Sequence, residues 1–368
     1  MIKRIYIDNF RCLVNFELQL QELTLLLGPN GVGKTSVLDV MFALRQLLSG
    51  EAKVSDADVF PISTLTRWQK RDKQVFEIDV VLEEDELRYR VEVEHERTTR
   101  RARISLERLE SKGRPLFSYE MGEVRLYRDD HSQGPPYSAD WVESALARVP
   151  SRHDNTRLTR FLDFMRKVIV CGLYPANFET ESSTEDSVLK RDAHNFAAWY
   201  RHVLQERQEL VPEFTKALQE VIDGFRGIRM AKVGLDTRAL MVMFDQFGER
   251  YELRLDETSD GQRALIALYS LVRLAAGQGY TLLLDEPDNY IALAEIQPWL
   301  IGLADACGAE VPQAVLCSHH PELIDYLGGD RGLVLNRESS GVTIVRSANE
   351  MAVEGGLKLS EVVARGWE

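Results

Sequence analysis

Apolar and polar residues alternate along IKRIYIDNF (2–10) and VNFELQLQELTLLL (14–27), which predicts two strands. The period then lengthens. From Val37 to Leu48 the apolar positions recur at helical spacing, which predicts a helix over 35–49. Residues 50–73 are a polar connection containing Pro61. Alternation returns in FEIDVVLEEDELRYRVEVEHE (76–96) and RARISLERLE (101–110), as antiparallel strands with one wet face require. DDHSQGPPYS (129–138) is a loop. Trp141 to about Leu210 reads as mainly helical, interrupted at CGLYPANFETESSTEDS (171–187). GIRMAKVGL, ALMVMFDQ and RYELRL bring strands back over 228–255. An α/β alternation closes the chain: helix 260–276, strand TLLLD, a helix near 290–306, strand AVLCS, helix 321–327, then strands RGLVLN and GVTIVRS. Internal repeats and long heptad segments are absent from the sequence. The pattern divides the chain into an N-terminal α/β lobe with an antiparallel part (1–128), a helical insertion (139–227) and a C-terminal α/β lobe (228–368).

With 368 residues, 44% of them hydrophobic, the chain has ample material for a large core in two or three lobes. A net charge of −13 argues against a globally basic nucleic-acid binder and leaves a local basic groove open. The four cysteines, Cys12, Cys171, Cys307 and Cys317, lack metal or redox spacing and read as thiols of a reducing cytoplasm. Met1 runs directly into a strand-like segment, so no secretory signal is expected. No apolar run approaches the roughly 18 residues needed to span a bilayer, so no membrane partner is expected.

Four short motifs carry chemistry. GPNGVGKTS (28–36) sits between a strand and a helix and matches the phosphate-binding loop pattern. Its glycines let backbone N–H groups turn inward, and the following helix adds its positive end. Asn30, Gly31, Gly33, Lys34, Thr35 and Ser36 are the candidate phosphate contacts, with Thr35 also on Mg²⁺. TLLLDEPD (281–288) is a buried strand ending in carboxylates, where Asp285 would hold Mg²⁺ through water and Glu286 would polarise an attacking water. TSDGQ (258–262) opens a long amphipathic helix, and Ser259 and Gly261 at its start make an anion site. In AVLCSHHPELI (314–324), His319 at a strand end can hydrogen-bond a terminal phosphate, although two adjacent histidines are not by themselves a metal site. Arg11 in NFRCL is a further candidate phosphate contact.

IDNFRCLVNFEL, GPNGVGKTS, TSDGQ, LLLDEPD and CSHHPEL together resemble the RecF/SMC/OLD-like ABC-type ATPases, in particular the stand-alone "AAA family ATPase" proteins of bacterial anti-phage systems. LKRDAHNFAAWYRHVL (189–204) is similar to the helical-lobe motif of those proteins. The resemblance implies an α/β ATPase head, a mixed sheet with an antiparallel β-lobe plus a helical lobe. It also implies slow hydrolysis of ATP with Mg²⁺. Ser259 and Gly261 would face the γ-phosphate held by a partner protomer, Glu286 would be the catalytic base and His319 the switch histidine. Two departures stand out: Asp260 occupies the position of the transporters' glycine, and no glutamine marks a Q-loop, for which Asn177 is the substitute. Asp288 is the start of the D-loop. About 220 residues separate the two phosphate motifs, too few for a long coiled coil, and 48 follow His320, too few for a nuclease domain of the OLD kind.

These readings lead to a cytoplasmic ATP-dependent switch. Two copies form a homo-oligomer by closing head-to-tail over ATP, and closure controls a separately encoded effector protein, a nuclease, in anti-phage defence. The alternative is a RecF-like DNA-repair ATPase that contacts nucleic acid through Arg97, Arg100, Arg101, Arg103, Arg108, Lys112 and Arg114. A transporter subunit and a protein that binds ATP without hydrolysing it are the remaining classes. The tail LKLSEVVARGWE (357–368) reads as an amphipathic helix carrying Val362, Val363 and Trp367.

Overall fold

A computed structural model describes residues 1–351 and 359–364. It divides into two compact units, Met1–Val168 with Leu327–Glu368, and Ile169–Tyr326.

The first unit is built on an eight-stranded antiparallel sheet. Its strands are β1 (Ile2–Asp8), β2 (Phe16–Gln19), β4 (Lys73–Leu82), β5 (Asp85–Glu96), β6 (Arg101–Ser111), β7 (Arg114–Glu120), β8 (Glu123–Leu126) and β9 (Tyr137–Ser138). β3 (Leu23–Leu27) lies outside that sheet. The expected second strand thus splits in two. The break falls at Gln21 and Glu22, where the Gln21 N–H donates to the Thr24 hydroxyl at 3.0 Å. β2 alternates buried and exposed residues as an antiparallel strand does, whereas every residue of β3 is buried. The 76–96 segment likewise folds as a hairpin, turning at Glu83 in the left-handed region (φ 54). β7 and β8 were not anticipated.

On β4, Phe76, Ile78 and Val80 point into the core. The opposite face pairs Glu77 with Arg4 and Arg90, and Asp79 with Arg88. The more exposed Arg88–Asp79 pair contributes up to about 1 kcal/mol, whereas Arg4 and Glu77 are largely enclosed. Beneath the sheet lie Phe10, Phe60 and Phe76, with Phe60 and Phe76 stacked at 4.6 Å. Helix α1 (Lys34–Ser49) buries Val37, Leu38, Met41, Leu44 and Leu48, and stops at the left-handed Gly50. α2 (Thr156–Arg166) packs against α1.

His95 of β5 is 3% exposed and bonds the Gln74 side chain through Nε2 at 2.9 Å. Burial, with a smaller push from Arg97 against a pull from Asp72, lowers its pKa from 6.5 to about 4. Between those pH values the unfolded chain takes up a proton that the folded protein refuses. The contribution of His95 is therefore complete above pH 6.5 and is lost as the pH falls toward 4. Urea unfolding of the parent and of His95→Gln across this range checks it. The variant is expected to lose less stability on acidification, by on the order of 3 kcal/mol.

In the second unit, β10 (Val168–Gly172) lies beside β15 (Thr281–Asp285), which pairs in parallel with β16 (Gln313–Cys317). β10 corrects the expectation of a mainly helical segment up to the interruption at 171. All five of its residues are buried, and a short run rich in β-branched side chains suits a covered strand. A smaller antiparallel sheet contains β11 (Glu181–Ser182), β12 (Phe225–Lys232), β13 (Arg238–Gln246) and β14 (Glu249–Arg254). Helices α3 (Phe196–Glu206) and α4 (Val211–Gln219) meet through Phe196, Tyr200 and Phe214. α5 (Asp260–Tyr269) does not run on as regular α-helix to 276. It passes into a π-helical turn over Ser270–Leu274, where the Ser270 hydroxyl donates to the Ile266 carbonyl at 2.6 Å. α6 (Leu293–Ala306) and α7 (Pro321–Arg331) follow β15 and β16.

The chain re-enters the first unit with β17 (Gly332–Arg337) and β18 (Thr343–Ser347). β17 is parallel to β3, and β18 is antiparallel to β17, making that sheet mixed. Helix is present at Leu359–Ala364; the reading of an amphipathic tail rests on the side chains of Val362 and Val363 and on Trp367, which lie outside what is described. Among the described residues no helix is long and apolar enough to cross a membrane.

Candidate functional site

In the first unit, β3 ends at Leu27 and the chain turns through Gly28 (φ 142), Gly31 (φ 82) and Gly33 (φ 110) before α1 begins. Two of these positions admit no side chain. A Cβ on Gly28 would lie 2.3 Å from the Leu335 carbonyl oxygen, and one on Gly33 would lie 2.9 Å from both Cys12 Sγ and Leu13 Cδ2. The loop is also tied from the side. The buried Thr343 hydroxyl of β18 and the Cys12 thiol both donate to the Val32 carbonyl, at 2.7 and 3.5 Å. Nothing in the local sequence announced Thr343, which lies 311 residues from Val32.

Lys34 is buried, and its ammonium donates to the Gly28 and Pro29 carbonyls at 2.6 and 3.2 Å. Its charge therefore lies inside the turn. Asn30, Gly31 and Thr35 are exposed, and Ser36 is buried. α1 starts at Gly33 without a side-chain cap and without an acidic residue in its first turn. No carboxylate in the first turn therefore repels an anion from the positive end of the helix. Arg11, itself left-handed (φ 52), donates to Ser36 Oγ at 3.2 Å and pairs with Asp39 at 2.7 Å on this helix. These features fit a polyphosphate: a loop with glycine-only backbone, a lysine within it, an uncapped helix start and a hydroxyl beside it.

In the second unit, the ends of β15 and β16 carry the carboxylates and histidines. Asp285 is opposite Cys317 in register. Glu286 leaves the strand in the left-handed region (φ 46), its N–H bonded to the Cys317 carbonyl at 2.8 Å. A non-glycine residue held there is a strained geometry of the kind that aims a side chain. Glu286 Oε2 accepts from Asn289 at 2.8 Å, and Oε1 lies 3.4 Å from His319 Nε2. Ser318 is buried, accepts from the His320 N–H at 2.9 Å and hydrogen-bonds Asp288. Burial raises the pKa of Asp288 above the usual carboxylate value.

Ser259 caps α5 reciprocally with Gln262, its hydroxyl accepting the Gln262 N–H at 3.2 Å. Gly261 is close-packed, because a Cβ there would lie 2.9 Å from the Tyr290 carbonyl oxygen. The extra charge of Asp260 is met by Arg263 at 3.0 Å. Arg263 also donates to the Pro175 carbonyl at 2.7 Å and so ties the turn bearing the exposed Asn177 to this helix. One participant was missed altogether: Arg191 pairs with Asp285 at 2.8 Å. The two are 94 residues apart, and no periodicity connects them.

Three of the seven basic residues of the β5–β7 stretch are paired with acids. Arg97 pairs with Asp72, Arg103 with Glu94 and Arg108 with Glu110. Arg100 and Arg101 sit at one end of β6, and Lys112 and Arg114 just beyond the other. They are spread along a strand roughly 35 Å long and do not form one patch.

A family model described as "AAA domain, putative AbiEii toxin, Type IV TA system" matches residues 23–325. An OLD nuclease of Thermus scotoductus is 53% identical over 38 residues, which is 10% of this chain and 7% of that protein. Two solved structures resemble nearly the whole chain. An SMC head bound to the C-terminal winged-helix domain of ScpA has a TM-score of 0.60 at 13% identity, covering 95% of this chain and 99% of that one. An SMC head with an extended coiled coil, bound to the C-terminal domain of ScpA derived from Pyrococcus furiosus, has a TM-score of 0.54 at 11% identity, covering 99% and 98%. At these identities the likeness is one of fold.

Proposed function

The chain belongs to the AAA-domain family whose model spans residues 23–325, an ATPase of the RecF/SMC/OLD-like type, and from that premise we propose that it is an ATP-driven dimeric switch. The observation that carries this reading is the pairing of Glu286 with His319 at the ends of adjacent parallel strands, in a chain that also holds Lys34 inside a glycine-built loop. ATP with Mg²⁺ supplies the scissile phosphoanhydride and its charge neutralisation. Lys34, Asn30, Gly31, Gly33, Thr35 and Ser36 bind phosphate, with Arg11 beside them, and Thr35 and Asp285 offer the hard oxygen ligands that Mg²⁺ prefers. Glu286 takes the proton of the attacking water and His319 holds Glu286 in place and reads the terminal phosphate. Ser259 and Gly261 receive the phosphate of a second copy. In this division of labour residues 1–128 and 228–368 form the catalytic lobes, and 139–227 the insertion.

The partner is a separately encoded effector in anti-phage defence. The family description names a toxin–antitoxin system, and a short segment of 38 residues is 53% identical to part of a nuclease. Mass photometry of Glu286→Gln, alone and with the products of neighbouring genes, tests both parts. ATP·Mg²⁺ is expected to double the mass, and a neighbour to join the doubled species. Mass that ignores nucleotide, with no neighbour bound, overturns the switch.

A further inference from the structure

We propose that Arg191 is a resident counter-charge of the metal-binding carboxylate, so that its guanidinium and the divalent ion compete for Asp285. The inference rests on reading Asp285 as a metal ligand. Arg191 Nη2 lies 2.8 Å from Asp285 Oδ2, with the two side chains 23% and 15% exposed. An ion pair enclosed to that degree is screened far less than a surface one.

The pair is positioned by its surroundings. The Gly172 N–H donates to the Arg191 carbonyl at 2.8 Å, fixing this residue against the end of β10. A Cβ at Gly172 would come within 3.3 Å of Arg191 Nη1 and 3.5 Å of Asp285 Cβ, so glycine leaves the room the guanidinium uses. Asn195 holds the surrounding loop. Its side chain accepts from the Lys190 N–H at 2.9 Å and donates to Asp186 at 2.7 Å and to the Val188 carbonyl at 2.8 Å. The loop therefore delivers a fixed positive charge to the carboxylate at the end of β15.

A guanidinium and a divalent cation sharing one carboxylate repel each other, and the carboxylate's charge is already matched. The ion is then held only while nucleotide phosphates add negative charge, and it leaves with them. Arg191 acts through Asp285 and is a positioning residue in this scheme.

The test is the Mg²⁺ concentration that half-saturates binding of a fluorescent, non-hydrolysable ATP analogue to the full chain. Arg191→Gln keeps a hydrogen-bond donor and removes the charge, and is expected to lower that concentration about tenfold. Arg191→Lys keeps the charge and is expected to stay within about twofold of the parent. A purely structural role moves the melting temperature of both variants and leaves the Mg²⁺ midpoints alike. An unchanged or raised midpoint in Arg191→Gln overturns the proposal. Should Arg191→Gln not fold, Gly172→Val crowds the guanidinium off Asp285 with the charge retained, and is expected to shift the midpoint the same way by a smaller factor. No shift there overturns the proposal equally. Asp285→Asn separates the two levels of the argument: if it leaves the parent's midpoint unchanged, the assignment of Asp285 to the metal is what has failed.

Discussion

Lys34→Ala is expected to weaken nucleotide binding by on the order of a hundredfold and to reduce hydrolysis to background. The Lys34 ammonium already lies within the loop, on the carbonyls of Gly28 and Pro29 at 2.6 and 3.2 Å. A phosphate entering the turn meets a charge that has been desolvated in advance, so little reorganisation offsets the gain. The same contacts make a second, smaller prediction for the empty protein. Without the ammonium the two carbonyls lose a donor, which costs about 1 kcal/mol of stability. Calorimetric titration with ATP and a thermal melt without it separate the effects. Retained ATP affinity in a folded Lys34→Ala protein would remove this loop from the phosphate site. Arg11 is the natural comparison, because it is partnered by Asp39 on the outside of α1 and its loss should affect binding less.

Glu286→Gln is expected to lower the hydrolysis rate by about a hundredfold to ten-thousandfold while leaving ATP affinity within a few-fold of the parent. The substitution keeps the shape of the side chain and an oxygen for the Asn289 amide, which donates to Glu286 Oε2 at 2.8 Å. It removes the proton acceptor and the anion that faces His319 at 3.4 Å. The strained backbone at Glu286 (φ 46) stays as it is, so geometry and charge are tested apart. His319→Ala should reproduce part of the loss by freeing the Glu286 carboxylate from one of its two neighbours. A rate in Glu286→Gln equal to the parent's would exclude Glu286 as the base.

Much of this protein was legible in one dimension. The glycine spacing of residues 28–33 is a local demand of backbone geometry, and its left-handed angles follow from it. The capped start of α5 at Ser259, the hydrophobic face of α1 and the buried strand before Asp285 are equally local, because helix caps and residue periods are set by neighbours a few positions away. The family itself could be read from five such segments. The errors were local ambiguities of the same kind. An apolar run cannot say whether it is a covered strand or a helix, as at Val168–Gly172. An alternating run does not show where it turns, as at Gln21 and Glu83.

Which distant groups meet is settled only in the folded chain. Thr343 closes on the Val32 carbonyl, Leu335 leaves no room beside Gly28, and Arg191 neutralises Asp285. Arg97 and Arg103 of the basic stretch are met by Asp72 and Glu94. Each of these depends on sheet register or on a loop held by a single buried asparagine. Such contacts are specified by the packing of the whole unit. Sequence periodicity records only which side of its own element a residue faces, and leaves open what stands opposite it.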